Sequence, residues 1–218
     1  MKWNYGDAYL TNPILPGEIA VWPDGSMAAV HNLFDENPSF FRKANLIFVD
    51  PPWNLGNLNS FYTKAGRTDY QISFELFYKT LFSRIRDVKA DICYVEVGKQ
   101  YLCEFLVEMK AFYPHVTFYN STYYHNQKNK CYIIRGSRKA KKPSLDDMDE
   151  EDVIRWICQN EEPGCILDPC MGQGLVGRYA SEAGRPFIGG ELNPKRLSVL
   201  LKKVPGYKIL HGEEDKAC

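Results

Sequence analysis

The sequence has no apolar run long enough to cross a bilayer, and its first residues lack the apolar core of a signal peptide. It has no net charge either, because 27 basic residues balance 27 acidic ones, so bulk charge gives no sign of a nucleic-acid partner. The seven cysteines are scattered and odd in number, which argues against a disulfide framework. We therefore expect a reduced, cytoplasmic protein with no membrane partner.

Internal repeats and low-complexity segments are also absent from the 218 residues, whose hydrophobic fraction of 44% is ordinary for a globular protein. This length suits one domain, and we expect a single domain over residues 1–218. Aromatic residues, at 14%, are abundant enough to suggest that some rings stack on a ligand.

Short β-like runs alternate with helix-length segments, which predicts an α/β layered domain. The predicted strands are 27–32, 45–50, 91–97, 115–124, 130–136, 165–168 and 186–191, with an antiparallel hairpin closed by HNQKN between the fourth and fifth. The predicted helices are 72–88, 99–112, 149–160, 175–183 and 194–203. Residues 54–70 are interpreted as a long polar loop, and 207–212 as a segment that could compete for the sheet position of 27–32.

A glycine-rich turn, LDPCMGQGLVG, lies between a predicted strand and a predicted helix, and its glycines fit the dinucleotide-binding pattern GxGxxG: Gly172, Gly174 and Gly177. Glu191 closes the next strand, where an acidic residue can bind ribose hydroxyls. The pattern alone is weak, because a tight turn needs no ligand. Asp168 would repel a pyrophosphate but suits a ligand with an ammonium or a sulfonium, and S-adenosylmethionine (SAM) carries both.

Two stretches in a fixed order carry a family resemblance. DPCMGQG followed by AGRPFIGGELN resembles the SAM-binding signature of amino-group methyltransferases that act on nucleic acid, and VDPPWN at 49–54 resembles their catalytic motif. Because the DPPW half comes first, the order resembles the circularly permuted β-type enzymes. The resemblance covers most of residues 26–200. It implies a Rossmann-like class I methyltransferase fold, with a seven-stranded, mostly parallel sheet that contains an antiparallel hairpin.

The resemblance implies SAM as the cofactor. The residues it assigns to cofactor binding are Asp168, Pro169, Cys170, Gly172, Gly174, Glu191, Asn193 and Asn32. Asn32 stands where relatives commonly have aspartate, and it could hydrogen-bond the SAM adenine without a charge. No metal site is expected, since Cys165 and Cys170 lack the paired spacing of a structural zinc site.

The resemblance assigns catalysis to Asp50, Pro51, Pro52 and Trp53. An exocyclic amine is a poor nucleophile, and its hydrogens need acceptors as the nitrogen becomes tetrahedral. Asp50 can accept one hydrogen bond and the carbonyl of Pro51 another, held rigidly by the paired prolines. Trp53 offers a ring on which a flipped base can stack. In the family that the sequence resembles, aspartate at the first motif position is typical of enzymes that modify N6 of adenine rather than N4 of cytosine, and the resemblance leaves RNA adenine as an alternative substrate.

The candidate nucleic-acid contacts are Asn54, Lys64, Arg67, Lys128, Lys130, Arg138, Lys139, Lys141 and Lys142. The basic segment RGSRKAKK follows the predicted hairpin, where β-type relatives insert a target-recognition domain, so we expect it to face DNA and contact phosphates. The alternative is a solvated loop that pairs with the acidic run at 146–152. The interval is too short for a recognition domain, so sequence reading would come from loops, a second copy of the chain or a partner subunit.

Two other functions stay open. A noncatalytic or weakly active subunit that binds SAM or nucleic acid would explain the missing recognition domain, although Asp50 and Trp53 are intact. A nicotinamide-dependent oxidoreductase would use GxGxxG but gives the DPPW strand no role. The favoured interpretation is a bacterial or phage DNA adenine-N6 methyltransferase.

Overall fold

The computed structural model describes residues 5–68 and 71–211. Within these residues the strands are β1 Glu18–Val21, β2 Met27–Val30, β3 Leu46–Val49, β4 Ile92–Val97, β5 His115–Tyr123, β6 Asn126–Ser137, β7 Met148–Asp149, β8 Ile166–Asp168, β9 Phe187–Glu191 and β10 Lys208–His211. The α-helices are α1 Ala8–Thr11, α2 Leu55–Lys64, α3 Phe74–Val88, α4 Leu102–Lys110, α5 Glu150–Asn160, α6 Leu175–Glu182 and α7 Pro194–Lys203. Short 3₁₀ turns precede β3 and α4, at Ser39–Lys43 and Lys99–Tyr101.

All the described strands join one mixed sheet in the order β10-β1-β2-β9-β8-β3-β4-β6-β5-β7. The strands β2, β9, β8, β3 and β4 run parallel, and β6 pairs antiparallel with β4. The predicted fold class and its seven strands are confirmed. The sheet has three strands beyond the seven predicted, because β1 and β10 extend one edge of the sheet and β7 extends the other.

The edge beside β2 is an antiparallel ribbon that the sequence reading missed. Trp22 and Ser26 close the β1–β2 turn through a backbone hydrogen bond of 2.9 Å, and Gly25 takes a positive φ of 87° between them. The strand β10 pairs with β1, and both β1 and β2 lie between it and β9, so it does not compete with β2 for its position. Residue 212 of the predicted competing segment lies outside the described residues.

The predicted loop at 54–70 is wrong over most of its length, because α2 occupies Leu55–Lys64. The side chain of Asn54 caps the helix by accepting the Asn57 N–H at 2.9 Å. Leu58 and Tyr62, one turn apart, bury the inner face of α2. The capping asparagine and this four-residue apolar spacing were both readable in the sequence.

The β5–β6 hairpin is tighter than predicted. Only Tyr124 and His125 separate the two strands, and both have positive φ, 59° and 50°. Such a pair is typical of the two-residue hairpin turn that matches the twist of the strands. The predicted HNQKN loop is therefore wrong, and most of those residues belong to β6, beside a register shift near Tyr123.

Helices cover both faces of the sheet, as the central parallel strands require. On one face α2, α3 and α4 pack on β3 side chains such as Ile47 and Val49, and on the other α5, α6 and α7 pack on side chains such as Phe48. The acidic run becomes the first turn of α5, capped by Asp149, where carboxylates favour the helix dipole. No helix in the described ranges is both long and apolar enough to cross a membrane.

Candidate active site

A cavity of about 750 Å³ opens at the carboxyl ends of the parallel strands. Both sequence motifs line it, the residues after β3 and the glycine-rich turn after β8, which are adjacent strands. The ends of β2, β4 and β9 complete the floor, and the N-terminus of α5 with the β5–β6 turn forms one wall. Ligands of open α/β sheets bind at this edge, so the fold brings the two motifs into one candidate site.

Asp50 and Trp53 form one unit within this cavity. The indole Nε1–H of Trp53 donates a hydrogen bond of 3.0 Å to Oδ1 of Asp50. The ring lies over Gly98, where an added Cβ would come within 3.0 Å of it, and Tyr123 contacts it edge-on with centroids 5.2 Å apart. These contacts fix the indole, and the indole in turn fixes the orientation of the Asp50 carboxylate.

Asp50 is reached by solvent through the cavity, yet protein atoms surround it at the cavity floor. This burial, together with the nearby carboxyl of Glu150, raises the pKa of Asp50 to about 7. The Trp53 hydrogen bond and the guanidinium of Arg196 lower the pKa of Asp50 and oppose the shift. A carboxyl with such a pKa can exchange a proton near neutral pH, which suits an acceptor for an amine hydrogen.

Backbone N–H groups of the glycine-rich turn donate hydrogen bonds to two carboxylates, one at the start of the turn and one at the end of β9. The Cys170 N–H donates to Oδ1 of Asp168 at 3.0 Å, and the Gly172 N–H donates to Oε2 of Glu191 at 2.7 Å. Gly174 begins α6 with φ of 79°, and a Cβ there would lie 2.5 Å from Cβ of Leu200. Glycine is therefore required at this position, because a side chain would be strained and would collide with α7.

The acidic side of the cavity suits a cationic ligand. Burial raises the pKa of both Asp168 and Glu191, so the cavity favours a cation that would stabilise their ionised forms. Arg196 of α7 also lines the cavity, with its guanidinium 4.9 Å from the centroid of the Phe61 ring. The cavity thus offers carboxylates and one guanidinium, which match the ammonium and the carboxylate of an amino acid group.

The predicted cofactor residues separate into two groups. Asp168, Pro169, Cys170, Gly172, Glu191 and Asn32 line the cavity. Gly174 and Asn193 have structural positions, since Gly174 begins α6 and Asn193 caps α7 by accepting the Lys195 N–H at 3.0 Å. The Asn193 side-chain amide donates to the Lys64 carbonyl at 3.0 Å, so it links α7 to α2 rather than pointing to a ligand.

Asn32 and His31 lie at the end of β2. Asn32 is buried and its Oδ1 accepts a hydrogen bond of 2.7 Å from the hydroxyl of Tyr62. Burial lowers the pKa of His31 to about 4, and its ring packs edge-on against Phe41 with centroids 5.4 Å apart. His31 is therefore neutral and packed, and the contact of Asn32 with a cofactor stays a prediction.

Three residues of the cavity wall were missed by the sequence reading. Glu96 is the penultimate residue of β4, Glu150 starts α5, and Tyr124 lies at the hairpin turn with 71% of its surface exposed. The backbone N–H of Tyr124 contacts the Glu150 carboxyl, and Asp149 accepts the His125 N–H at 2.9 Å. The hydrogen bonds from Tyr124 and His125 to the first residues of α5 therefore fix the β5–β6 turn, with its aromatic side chain, beside Asp50. A glutamate inside the apolar strand YVEV was the available signal for Glu96.

The basic candidates lie at opposite ends of the strands: one group is at the end that carries the cavity, called the cavity edge, and the other is at the opposite end, called the far edge. The antiparallel register of β6 on β4 places Tyr132 beside Val97 at the cavity edge and Ser137 beside Ile92 at the far edge. Lys128 and Lys130 are exposed at the cavity end of the hairpin, and α2 brings Asn54 and Lys64 to the same edge. Arg67 borders a neighbouring cavity of about 440 Å³ between α2 and α3.

The residues that follow β6 lie at the opposite end of the strands from the cavity, away from the hairpin turn, and their contact with DNA stays a prediction. Arg138 pairs with Asp91 at 3.4 Å, Lys139 pairs with Glu162 at 2.7 Å, and the Lys141 carbonyl accepts a hydrogen bond from buried Arg135. Lys142 continues the same exposed segment. The sequence alone did not show how far β6 extends. It runs along the whole of β4, so the residues that follow it lie at the end opposite the cavity.

Solved structures with a similar fold include DNA methyltransferases. The M1.HpyAVI–SAM complex aligns with a TM-score of 0.55 and 13% identity, over 81% of this chain and 97% of that chain. The chain has the α/β methyltransferase fold. TTHA0409, a putative DNA modification methylase from Thermus thermophilus solved with SAM, aligns with a TM-score of 0.57 and 13% identity, over 82% and 94% of the two chains.

A third structure is described as cytosine-N4-specific. This PvuII DNA methyltransferase aligns with a TM-score of 0.53 and 12% identity, over 85% of this chain and 90% of its own. No family model matches the sequence, and no curated protein is similar to it at a significant level. At these identities the similarity shows the fold, and the chemistry depends on the residues that line the cavity.

Proposed function

We propose that the protein is a SAM-dependent methyltransferase that modifies the exocyclic N6 amine of adenine in DNA. The observation that carries the proposal is the single cavity in which Asp50 and Trp53 face the glycine-rich turn with Asp168 and Glu191. An acceptor for an amine hydrogen, a stacking ring and a set of carboxylates for a cationic ligand therefore lie within reach of one another.

The residues present fit SAM. Asp168 suits the ammonium of its amino acid group, Arg196 suits the carboxylate, and Glu191 suits the ribose hydroxyls. Two of the solved structures with this fold, M1.HpyAVI and TTHA0409, are described as complexes with SAM. When bound, SAM would supply an electrophilic methyl group on a sulfonium.

The chain's own groups would make the amine a better nucleophile. The Asp50 carboxylate accepts one amine hydrogen and the Pro51 carbonyl accepts another, which localises the lone pair on nitrogen. Trp53 and Tyr124 offer ring surfaces for an extruded base, since a base inside a duplex could not reach the floor of this cavity. Asp50 is oriented by Trp53 before substrate arrives, so little reorganisation is needed in the transition state.

Adenine is favoured over cytosine by aspartate at the first position of the DPPW motif. Cytosine N4 is the second candidate, because the PvuII enzyme with the same fold is described as cytosine-N4-specific. Both bases present an amine next to a ring nitrogen, so acceptors at Asp50 and Pro51 fit either one. RNA adenine stays a third candidate from the motif.

We further propose that residues 1–218 act as one catalytic domain, with target reading by loops, a second copy or a partner subunit. The segment 138–147 connects β6 to β7 without an inserted domain. A noncatalytic subunit is the competing function. Transfer of label from methyl-labelled SAM to duplex DNA, single-stranded DNA and RNA tests the proposal, and SAM binding without transfer to any of these polymers would favour the subunit.

The two basic groups should differ in their contribution to DNA binding. Replacing Lys64, Lys128 and Lys130 with alanine at the cavity edge should lower duplex affinity and flatten the salt slope of log affinity by about 0.9 for each phosphate that is no longer neutralised. The matched control replaces Arg138, Lys139 and Lys142 at the far edge and should leave the slope unchanged, because these residues lie away from the cavity. Fluorescence anisotropy at several salt concentrations measures both slopes. If only the far-edge variant flattened the slope, DNA would lie on the other edge of the sheet.

A further inference from the structure

Glu96 is a carboxyl in an otherwise apolar strand, and it lies under the cavity floor. The residue is 0% exposed, and its carboxyl oxygens accept no hydrogen bond from an N–H or O–H group in the described part of the chain. An ionised carboxylate in this position would lose its hydration and gain only the weak thiol donor of Cys131, which is strongly unfavourable. Glu96 therefore carries a proton or shares one with a neighbour.

Three elements bring further carboxyls to the same place. The parallel register of β3 and β4 sets Val49 beside Val95, so the next residues along the strands, Asp50 and Glu96, are neighbours on one face. Glu150, in the first turn of α5, approaches from the helix layer within hydrogen-bonding reach of Glu96. Since carboxylates accept hydrogen bonds only, contact between Glu96 and Glu150 requires a proton between them.

The surroundings of the three carboxyls are mostly neutral or acidic. The other titratable or charged groups that face them are Cys131 of β6, Tyr124 of the hairpin turn, Asp149 and Glu151 beside Glu150, Asp168 of the glycine-rich turn and Arg196 of α7. Burial, followed by repulsion from Asp50 and Glu150, raises the pKa of Glu96 well above its ordinary value. Burial also raises the pKa of Glu150. Ionising all three would place like charges side by side, so they titrate as a unit.

We propose that Glu96 and Glu150 form a proton-sharing carboxyl pair behind Asp50, and that this pair receives the proton that the target amine loses on methylation. The inference rests on the proposed function. Glu96 is a positioning residue in this scheme, because it is buried beneath Asp50 and acts through it. Glu150 is half-buried at the cavity wall and connects the pair to solvent.

The proton balance follows from the transfer itself. The lone pair of the amine nitrogen forms the new C–N bond, and the electron pair of the broken C–S bond stays on sulfur. The methylated nitrogen then carries a positive charge, which it loses by giving one proton to the Asp50 carboxylate. Asp50 passes this proton to the pair, which holds one proton and one negative charge and becomes neutral. Water in the cavity removes the proton through Glu150 after the product leaves.

The pH dependence of single-turnover methylation tests the pair. Glu96→Gln keeps the shape of the side chain and should lower the rate near neutral pH by about tenfold or more, within the range of general base effects. Glu150→Gln should lower the rate to a similar extent, and the double variant should lose little more, since both residues act as one unit. Glu150→Gln should also move the acidic limb of the profile to lower pH, because the carboxyl of Glu150 raises the pKa of Asp50.

The matched control is Asp152→Asn, in the same turn of α5, whose carboxylate pairs with Arg155 at 3.2 Å outside the cavity. It should keep the wild-type profile, and the affinity of every variant for SAM should stay within about threefold of wild type, because the pair acts during transfer. A Glu96→Gln enzyme with the rate and pH profile of the wild type would overturn the proposal.

A stability measurement tests the shared proton without any activity. In the unfolded chain Glu96 ionises near its ordinary pKa of about 4.3, whereas burial raises that pKa in the fold, so wild-type stability falls as pH rises above this value. The Tm of Glu96→Gln relative to wild type should therefore increase between about pH 5 and pH 8. A Tm difference that does not change with pH contradicts the pair. An enzyme that methylates nothing but shows this Tm dependence refutes the proposed function and leaves the proton-sharing pair in place.

Discussion

Asp50→Ala should reduce the methyl-transfer rate by about 100-fold or more, which is the usual scale for loss of a group that accepts a proton in the transition state. Its affinity for SAM should fall by less than about threefold, because a group acting mainly in the transition state affects turnover more than ground-state binding. Single-turnover kinetics measures the first quantity, and calorimetric titration with SAM measures the second.

Asp168→Ala is the matched comparison, since it removes the aspartate of the other motif in the same cavity. Its side chain accepts the Cys170 N–H inside the glycine-rich turn, so its loss should weaken SAM binding itself. Circular dichroism should be the same for both variants. If Asp50→Ala lost SAM binding as completely as Asp168→Ala, the division between a substrate side and a cofactor side would be wrong.

Trp53→Ala should lower kcat/KM by roughly 100-fold. Loss of base stacking accounts for about 1–3 kcal/mol, and loss of the hydrogen bond to the Asp50 carboxylate adds about 1.5–3 kcal/mol, with incomplete additivity. Methylation at substrate concentrations well below KM measures the change directly. The effect is large because one side chain both contacts the base and orients the acceptor.

Trp53→Phe separates these two contributions. Phenylalanine keeps a stacking ring but has no N–H, so the loss in kcat/KM should be smaller than for alanine. The Trp53 hydrogen bond lowers the pKa of Asp50, so its removal should raise that pKa and move the acidic limb of the pH profile upward. Equal losses for both variants, with no shift in the profile, would show that the ring does not stack on the substrate.

The central fold was predictable because its signals are local and periodic. The strand that precedes Asp50 and the strands that end at Asp168 and Glu191 are short apolar runs, and the glycine-rich turn follows one of them. The missed elements have weaker patterns. The strand β1 has four residues, and α2 begins with a capping asparagine in a polar stretch. Both are stabilised by packing on distant segments, which local sequence does not show.

The site was less predictable than the fold, because the cavity joins residues that are far apart in sequence. The motif residues Asp50 and Asp168 were identified, and their catalytic and binding roles remain proposals. Glu96 and Glu150 escaped notice because their importance comes from the register of β3 on β4 and from where α5 begins. The role of a single buried carboxyl in a strand can be inferred only when its neighbours in the fold are known.

The positions of the basic residues around β6 were also not predictable from the sequence. Arg138 and Lys139 follow the hairpin in sequence, but twelve residues of β6 carry them to the far edge of the sheet, where they pair with Asp91 and Glu162. Lys128 and Lys130 are close to them in sequence yet lie at the cavity end. These basic residues are close in sequence and therefore resemble one cluster, but the length of β6 places them in two groups at opposite ends of the strand.

The most direct measurement is identification of the methylated nucleoside. The protein is incubated with methyl-labelled SAM and duplex DNA, the DNA is digested, and the labelled nucleosides are separated against standards, with Asp50→Ala as the blank. We expect the label in N6-methyladenine. Label in N4-methylcytosine alone would contradict the adenine assignment while keeping the amine chemistry, and DNA without label, despite SAM binding, would contradict the central claim that this cavity transfers a methyl group to a base amine.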